Sequence, residues 1–464
     1  MKRFAAITAM TRTRPVYIKL LLCGVTAVVL VRLLNLHVDG VNGPSYFRWI
    51  WQQLAWERVA LGFAVAAVPF FVGQYLYGVR RWSTKSALRA VALSLLLLQL
   101  IGVGLRRQPF SLTMATKLVQ SGGVTSYYTD AVQLEGKKDQ SLSQWLRDFP
   151  KILPKLNLHS TTKPPGPVLF YVPLVRLFGA GDGAATIGAL LVALLTSLGV
   201  FAVHRFIQVM TEDDQRGFHG ASLYALLPGI VVIHPMFDQI LPILTCGMIG
   251  LWAAALQARS LPLAFASGLF LAAACFFSYS LMTLGVFLIA YSVVAWFRGN
   301  EGRTRVMLLQ VAAAAVGFLL FYATLWLAVR YDPIASFASA RLAEKGFQSW
   351  LRRPYPTSIY WDLEDFGLGV GWIAVLLMLF GLLRSQPWSE RVISLLGVSQ
   401  IVLIAVTGLL AGETARVFLF MVPLLLTPID GELSRWKPLE RMAAYACLLA
   451  VTAAACRNLI FLNL

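Results

Sequence analysis

Five short stretches of this chain hold the residues that could do chemistry. Asp130 sits in Tyr127-Tyr128-Thr129-Asp130-Ala131. His159 and Lys163 sit in His159-Ser160-Thr161-Thr162-Lys163-Pro164-Pro165-Gly166-Pro167. Asp238 sits in Pro235-Met236-Phe237-Asp238-Gln239, and Glu413 and Arg416 in Gly412-Glu413-Thr414-Ala415-Arg416. Trp361-Asp362-Leu363-Glu364-Asp365, with Arg352-Arg353-Pro354-Tyr355 before it, forms a fifth polar stretch. A carboxylate such as Asp130 can take a proton from a hydroxyl. A lysine or arginine can neutralise a phosphate, and guanidinium does so through paired hydrogen bonds. Each stretch also has a plain structural reading. Asp238 can cap a helix at a water boundary. Glu413 and Arg416 can be an ion pair closing a tight turn, and the other stretches can be solvated loops. No P-loop, Rossmann fingerprint, HExxH pattern or hydrolase elbow accompanies them.

The elements that must position these residues are membrane helices. The chain has 464 residues, 58% hydrophobic and 13% charged, and its mean hydropathy is +0.68. A soluble domain lies nearer half apolar and a quarter charged. The apolar residues form continuous blocks of roughly 17–25, the length that crosses about 30 Å of hydrocarbon as helix. A transmembrane barrel would alternate instead. The blocks fall near 17–36, 54–77, 86–105, 184–204, 217–235, 239–258, 262–280, 281–297, 306–328, 366–383, 392–410, 417–430 and 442–458. The expected fold is therefore an all-α polytopic bundle of about 13 transmembrane helices.

Net charge is +18, from 40 Lys and Arg against 22 Asp and Glu. Most of the basic residues flank the apolar blocks, where they orient helices and meet anionic lipid, so membrane lipids rather than nucleic acid are the expected partners. Short loops with Lys2, Arg3, Arg80, Lys85, Arg205, Arg259, Arg384, Arg435 and Lys437 all fall on one side. That side is expected to be cytoplasmic, with the N-terminus there. The block 166–180 contains Pro173 and Arg176, and a crossing there would invert every later loop. It is read as a helix lying in the interface. The chain then divides into two N-terminal spans (1–85), a core with its first outer loop (86–328, loop 106–183), a second outer loop (329–365) and the C-terminal spans (366–464). The five cysteines lack metal-ligand spacing and imply no disulfide framework.

Tyr128-Thr129-Asp130, then Thr162-Lys163-Pro164-Pro165-Gly166-Pro167, then a helix ending Leu177-Phe178-Gly179 resembles the GT-C membrane glycosyltransferases. The branch most similar contains protein O-mannosyltransferases and lipid A aminoarabinose transferases, and the similarity is best over residues 86–260. The resemblance implies a GT-C-like bundle with interfacial helices in the first outer loop. It implies a polyprenyl-phosphate sugar as donor, inversion at the sugar, and a glycan, lipid or protein hydroxyl as acceptor. It makes Asp130 the base and Lys163 a ligand of the donor phosphate, with Arg416 as a second. Tyr128, His159, Asp238 and Glu413 would support them. The sequence departs from relatives that have His at the position of Lys163 and an acid at that of Thr162, which leaves a metal, as a possible divalent cation, open. A bacterial inner membrane with the site on its outer face is the expected location. A transporter or flippase of lipid-linked saccharides and a polysaccharide polymerase or ligase are the alternatives.

Overall fold

The computed structural model describes residues 2–43, 48–80, 82–137, 139–297, 303–351, 355–384, 387–410 and 412–461. Arg352, Arg353 and Pro354 of the second outer loop lie outside these. Apart from one two-residue antiparallel ladder, Ile50–Trp51 with Leu459–Ile460, the described structure is helical.

Nine described helices are long and apolar enough to cross a membrane, and a bent pair makes a tenth candidate. Helix is the form an apolar run must take there, because it satisfies every backbone polar group within the segment. The nine include Val16–Asn35, Trp56–Arg80, Thr84–Gly104, Asp182–Thr211, Phe237–Ala258 and Pro438–Asn458. Two are the least covered: 11% of the apolar window of Thr304–Val329 and 17% of that of Val16–Asn35 are buried in the protein. Exposed Leu and Val on that scale suit a lipid-facing wall.

Four expected spans differ from continuous long helices. The block 217–235 is broken into Asp214–Tyr224 and Pro228–Val231, because Pro228 cannot continue the helix before it. The block 417–430 is a short 3-10 turn, Phe418–Met421, followed by Val422–Leu433, with Pro423 and Pro428 in it. The block 262–280 is the 17-residue helix Leu261–Phe277. The block 366–383 bends by 101° between Thr357–Val370 and Trp372–Leu383. Gly371, at φ +74°, makes that corner, a conformation open to glycine at little cost.

The two broken segments are the centre of the bundle. Residues 216–242 and 418–433 are buried without interruption. They run antiparallel and are pinned at both ends: Arg216 Nε meets Asp430 Oδ1 at 2.6 Å, and Asp238 Oδ2 meets Arg416 Nη1 at 2.7 Å. The long helices pack around this pair.

The polar connections at the Asp238–Arg416 end are mostly helical too. Residues 105–181 fold into Thr113–Gln120, Tyr127–Gly136, Leu142–Arg147, Phe149–Ile152 and Gly166–Phe178, with 3-10 turns between. Gly166–Phe178 is apolar but has 13 residues, about 20 Å of helix, too short for an ordinary span. The second connection forms Pro333–Leu351 and then Thr357–Val370 rather than a solvated loop.

Candidate active site

Ser126 and Asp130 lie one turn apart at the start of Tyr127–Gly136, and together they hold the stretch that carries His159. Asp130 Oδ1 accepts the Asn157 backbone N–H at 3.2 Å and its side-chain amide at 2.7 Å. Ser126 Oγ accepts the His159 backbone N–H at 3.0 Å. Ser126 takes φ +66°, a left-handed conformation uncommon for a residue with a Cβ. Burial raises the Asp130 carboxyl, and Ser160 and Asn157 offset this in part.

From His159 a 3-10 turn, Ser160–Thr162, leads to Lys163, which is extended at φ −116°, ψ 155°. Pro164 after it favours that conformation. Gly166 then opens the next helix against the backbone carbonyl of Phe276, where a Cβ would collide. The Lys-Pro-Pro-Gly element is thus a fixed corner that aims Lys163 at Asp238, with Nζ to Oδ1 at 3.6 Å.

Asp238 faces two cations, Lys163 and Arg416. Arg416 is also gripped by Glu413, whose Oε2 accepts from Nε at 3.0 Å and from Nη2. Glu413 adopts φ +50° to do so, a backbone cost of about 1–3 kcal/mol that the ion pair must help to offset. Burial raises the Glu413 carboxyl, but Arg416 more than reverses this and holds it below the usual range.

The Gly412–Arg416 turn is itself anchored from Thr357–Val370. Asp362 Oδ1 accepts the Gly412 N–H at 2.8 Å, and Asp365 Oδ2 accepts the Ala415 N–H at 2.8 Å. Trp49, between the first two spans, donates its indole N–H to Asp365 Oδ1 at 2.9 Å. The first two spans therefore support this turn through Trp49. The sequence placed Asp362 and Asp365 at the end of the second outer loop, with a solvated loop as the plain reading; both are buried, bonded to the Gly412–Arg416 turn.

A cavity of about 350 Å³ opens beside these groups. His159, Lys163, Glu413 and Arg416 are among its polar lining, and Leu158, Met282, Phe337 and Leu409 among its apolar lining. Arg341 and Glu344 of Pro333–Leu351 complete the wall, with Tyr279 nearby. Arg341 has no ion-pair partner among the described residues. Sequence reasoning missed Arg341, Glu344 and Tyr279. The readable signal was the Arg341/Glu344 spacing, which puts both on one helix face.

The structure brings together Lys163, Asp238, Glu413, Arg416 and His159. Burial, then Arg416, pushes the His159 imidazole down to about 4, so it is neutral at neutral pH. Asp130 and Tyr128 are not on the cavity wall. Asp130 positions the His159 stretch, as above. Tyr128 pins the end of the first connection: its hydroxyl donates to the Gly181 carbonyl and accepts from the Gly181 N–H, both at 2.9 Å. Its neighbour Tyr127 is the tyrosine within the field of Asp238 and Arg416. No group of three or more His, Cys, Asp or Glu among the described residues is placed to hold a metal ion. Asp238 and Glu413 have side-chain cations as their partners instead.

The two cations differ in how far they are already engaged. Arg416 is engaged by two carboxylates. Lys163 is in charge contact with Asp238 but at 3.6 Å makes no hydrogen bond to it. Its ammonium donors are available to an anion entering the cavity. No protein-family model matches the chain, and no curated protein matches it significantly. What defines this site is its own geometry: a mostly apolar cavity at the end of an α-helical bundle of membrane-spanning type, with lysine and arginine in its lining.

Proposed function

We propose that this chain is an integral membrane glycosyltransferase of GT-C type. It moves a sugar from a polyprenyl-phosphate donor to an acceptor hydroxyl at the extracytoplasmic face of a bacterial inner membrane. The observation that carries the reading is Lys163, held in a proline-fixed corner with open donors on the wall of a cavity whose lining is mostly apolar. A polyprenyl phosphate has the matching halves. Lys163 and Arg341 take the phosphate, and Leu158, Met282, Phe337 and Leu409 take the first part of the prenyl chain.

The acceptor hydroxyl attacks the anomeric carbon as the bond to the phosphate oxygen breaks, which inverts the centre. The phosphate leaves with the electron pair, its charge met by Lys163. A carboxylate takes the hydroxyl proton. The resemblance assigns that role to Asp130. Location on the cavity wall supports Glu344 instead, with Asp130 as a positioning residue.

Nine long described helices and the bent pair, taken with the shorter segments Asp214–Tyr224, Leu261–Phe277 and Val422–Leu433 as crossings, are compatible with the thirteen spans expected from the sequence. Three long helices precede the first polar connection, which puts the N-terminus at the end opposite the site, in keeping with the cytoplasmic placement expected for the basic loops.

One observation favours a second reading, a transporter or flippase of lipid-linked saccharides. The bundle centre consists of two broken segments, as alternating-access folds often have. Against it, both ends of that pair are clamped by ion pairs. The test is purified protein in nanodiscs with radiolabelled polyprenyl-phosphate sugars and envelope acceptors. Transfer of label supports the enzyme, and the length of the transferred glycan separates a single-sugar transferase from a polymerase or ligase. Movement of lipid-linked saccharide between leaflets without transfer overturns it in favour of the transporter.

A further inference from the structure

The other end of the bundle carries a second cleft that the proposed reaction does not use. It measures about 440 Å³ and is walled by Tyr77, Trp82, Gln215, Ser434, Trp436 and Arg441. The central pair fixes its position. Asp214–Tyr224 starts beside it and leads towards Asp238, and Val422–Leu433 ends beside it after leaving Arg416. The chain from Thr414 to Leu433, about 30 Å as helix, separates the two sites.

Arg441 is 5% exposed. A guanidinium that buried is ordinarily paired, because an uncompensated buried charge is costly. Arg441 has no ion-pair partner among the described residues. Its Nη1 donates to the carbonyls of Trp436 at 2.5 Å and Leu433 at 3.4 Å. Its Nε and Nη2 donate to no described protein group, and neither is sealed off from the cleft. Glu440, the carboxylate that acts on it through space, accepts the Lys437 backbone N–H at 2.7 Å. A buried cation with two open donors, in a cleft of ligand size, is chemically suited to an anion.

We infer that this cleft binds a phosphate-bearing anion through Arg441 Nε and Nη2. A guanidinium offers two parallel N–H groups that match two phosphate oxygens. Trp82 and Trp436 give the cleft aromatic walls, and tryptophan is enriched where membrane meets water. Arg80, Lys85 and Lys437 lie on the same short connections and raise the local concentration of anions. The phosphate could belong to the headgroup of an anionic lipid or to a soluble phosphate, and the two are separable.

The test compares wild type, Arg441→Gln and Trp82→Ala. Lipid retention is read by native mass spectrometry after release from phosphatidylglycerol or phosphatidylcholine nanodiscs. Soluble phosphate is read as the rise in melting temperature with added inorganic phosphate. The expected result is an at least tenfold loss of one of these signals in Arg441→Gln. Loss of retained phosphatidylglycerol identifies a lipid headgroup, and loss of the phosphate-induced rise identifies a soluble ligand. Trp82 is 42% exposed, so Trp82→Ala keeps the fold and is expected to weaken the same signal. Equal binding of both probes by wild type and folded Arg441→Gln overturns the inference. If Arg441→Gln does not fold, Trp82→Ala decides, and wild-type binding by it overturns the inference.

Discussion

Asp238 and Arg416, 178 residues apart in sequence, meet at 2.7 Å, and Arg216 and Asp430 repeat the arrangement with opposite polarity at the far end of the same two segments. A segment broken by proline leaves backbone groups without helical partners and cannot hold its register by helix alone. Two end-to-end ion pairs supply that register.

Removing one partner of such a pair leaves the other charge buried. Asp238→Asn is therefore expected to destabilise the protein by about 3–5 kcal/mol, and Arg216→Gln by a similar amount. Glu135→Ala, which breaks the half-exposed Glu135–Arg176 pair, is expected to cost no more than about 1 kcal/mol. Denaturant unfolding of the three variants in one lipid system checks the ordering. Near-equal values would mean that the central pair does not depend on its clamps.

The supporting role of Trp49 gives a separate prediction. Trp49→Phe keeps the ring packed against Phe461 but removes the donor to Asp365, leaving one oxygen of a buried carboxylate unmet. A loss of about 1–3 kcal/mol is expected, with weaker binding of donor through the displaced Gly412–Arg416 turn. Unchanged donor affinity in a destabilised variant would confine Trp49 to the scaffold.

Much of this was legible in the sequence because hydrophobic length and charge placement act locally. The long apolar blocks became helices close to their expected bounds, since hydrocarbon leaves the backbone no alternative. The blocks 217–235 and 417–430 were apolar enough to look the same. Their prolines were visible, but that they would pack against each other depended on Arg216 finding Asp430, a contact no local pattern encodes. The stretches with Lys163, Asp238 and Glu413-Arg416 were found because charges beside apolar runs stand out. Glu344 and Arg341 were missed because their helix, Pro333–Leu351, reads as a polar loop until something packs beneath it. Asp130 was conspicuous for its chemical type, but only the fold shows it bound to Asn157.

The depressed His159 pKa makes stability depend on pH. In the folded protein the imidazole titrates at about 4, against 6.5 in the unfolded chain. Between those values the unfolded chain binds the extra proton, so stability is full above pH 6.5 and falls as pH drops towards 4. The slope from this group is at most about 1.4 kcal/mol per pH unit. Asp130 acts in the opposite sense, because its carboxyl is raised by burial and its contribution declines as pH rises through the folded value. Melting temperature followed from pH 4 to 7 should fall less steeply on acidification in His159→Gln than in wild type. Parallel curves would place His159 in contact with water.

The identity of the base is the sharpest question the cavity poses. A general base contributes roughly 10²–10⁴ in rate, so removing it should lower kcat by that factor with little change in donor affinity. Glu344→Gln is expected to show this loss. Asp130→Asn keeps an oxygen to accept from Asn157, so it should fold and lose far less. Lys163→Met should instead weaken donor binding along with turnover, since its role is to meet the phosphate. Steady-state transfer assays on the three variants, with donor binding measured separately, distinguish these outcomes. If Asp130→Asn abolishes transfer while Glu344→Gln does not, the acceptor must reach the site past Asn157 rather than through the open cavity. Asp130 would then be the base, as the resemblance implies, and the hydrogen bonds from Asn157 would describe the protein before its acceptor arrives.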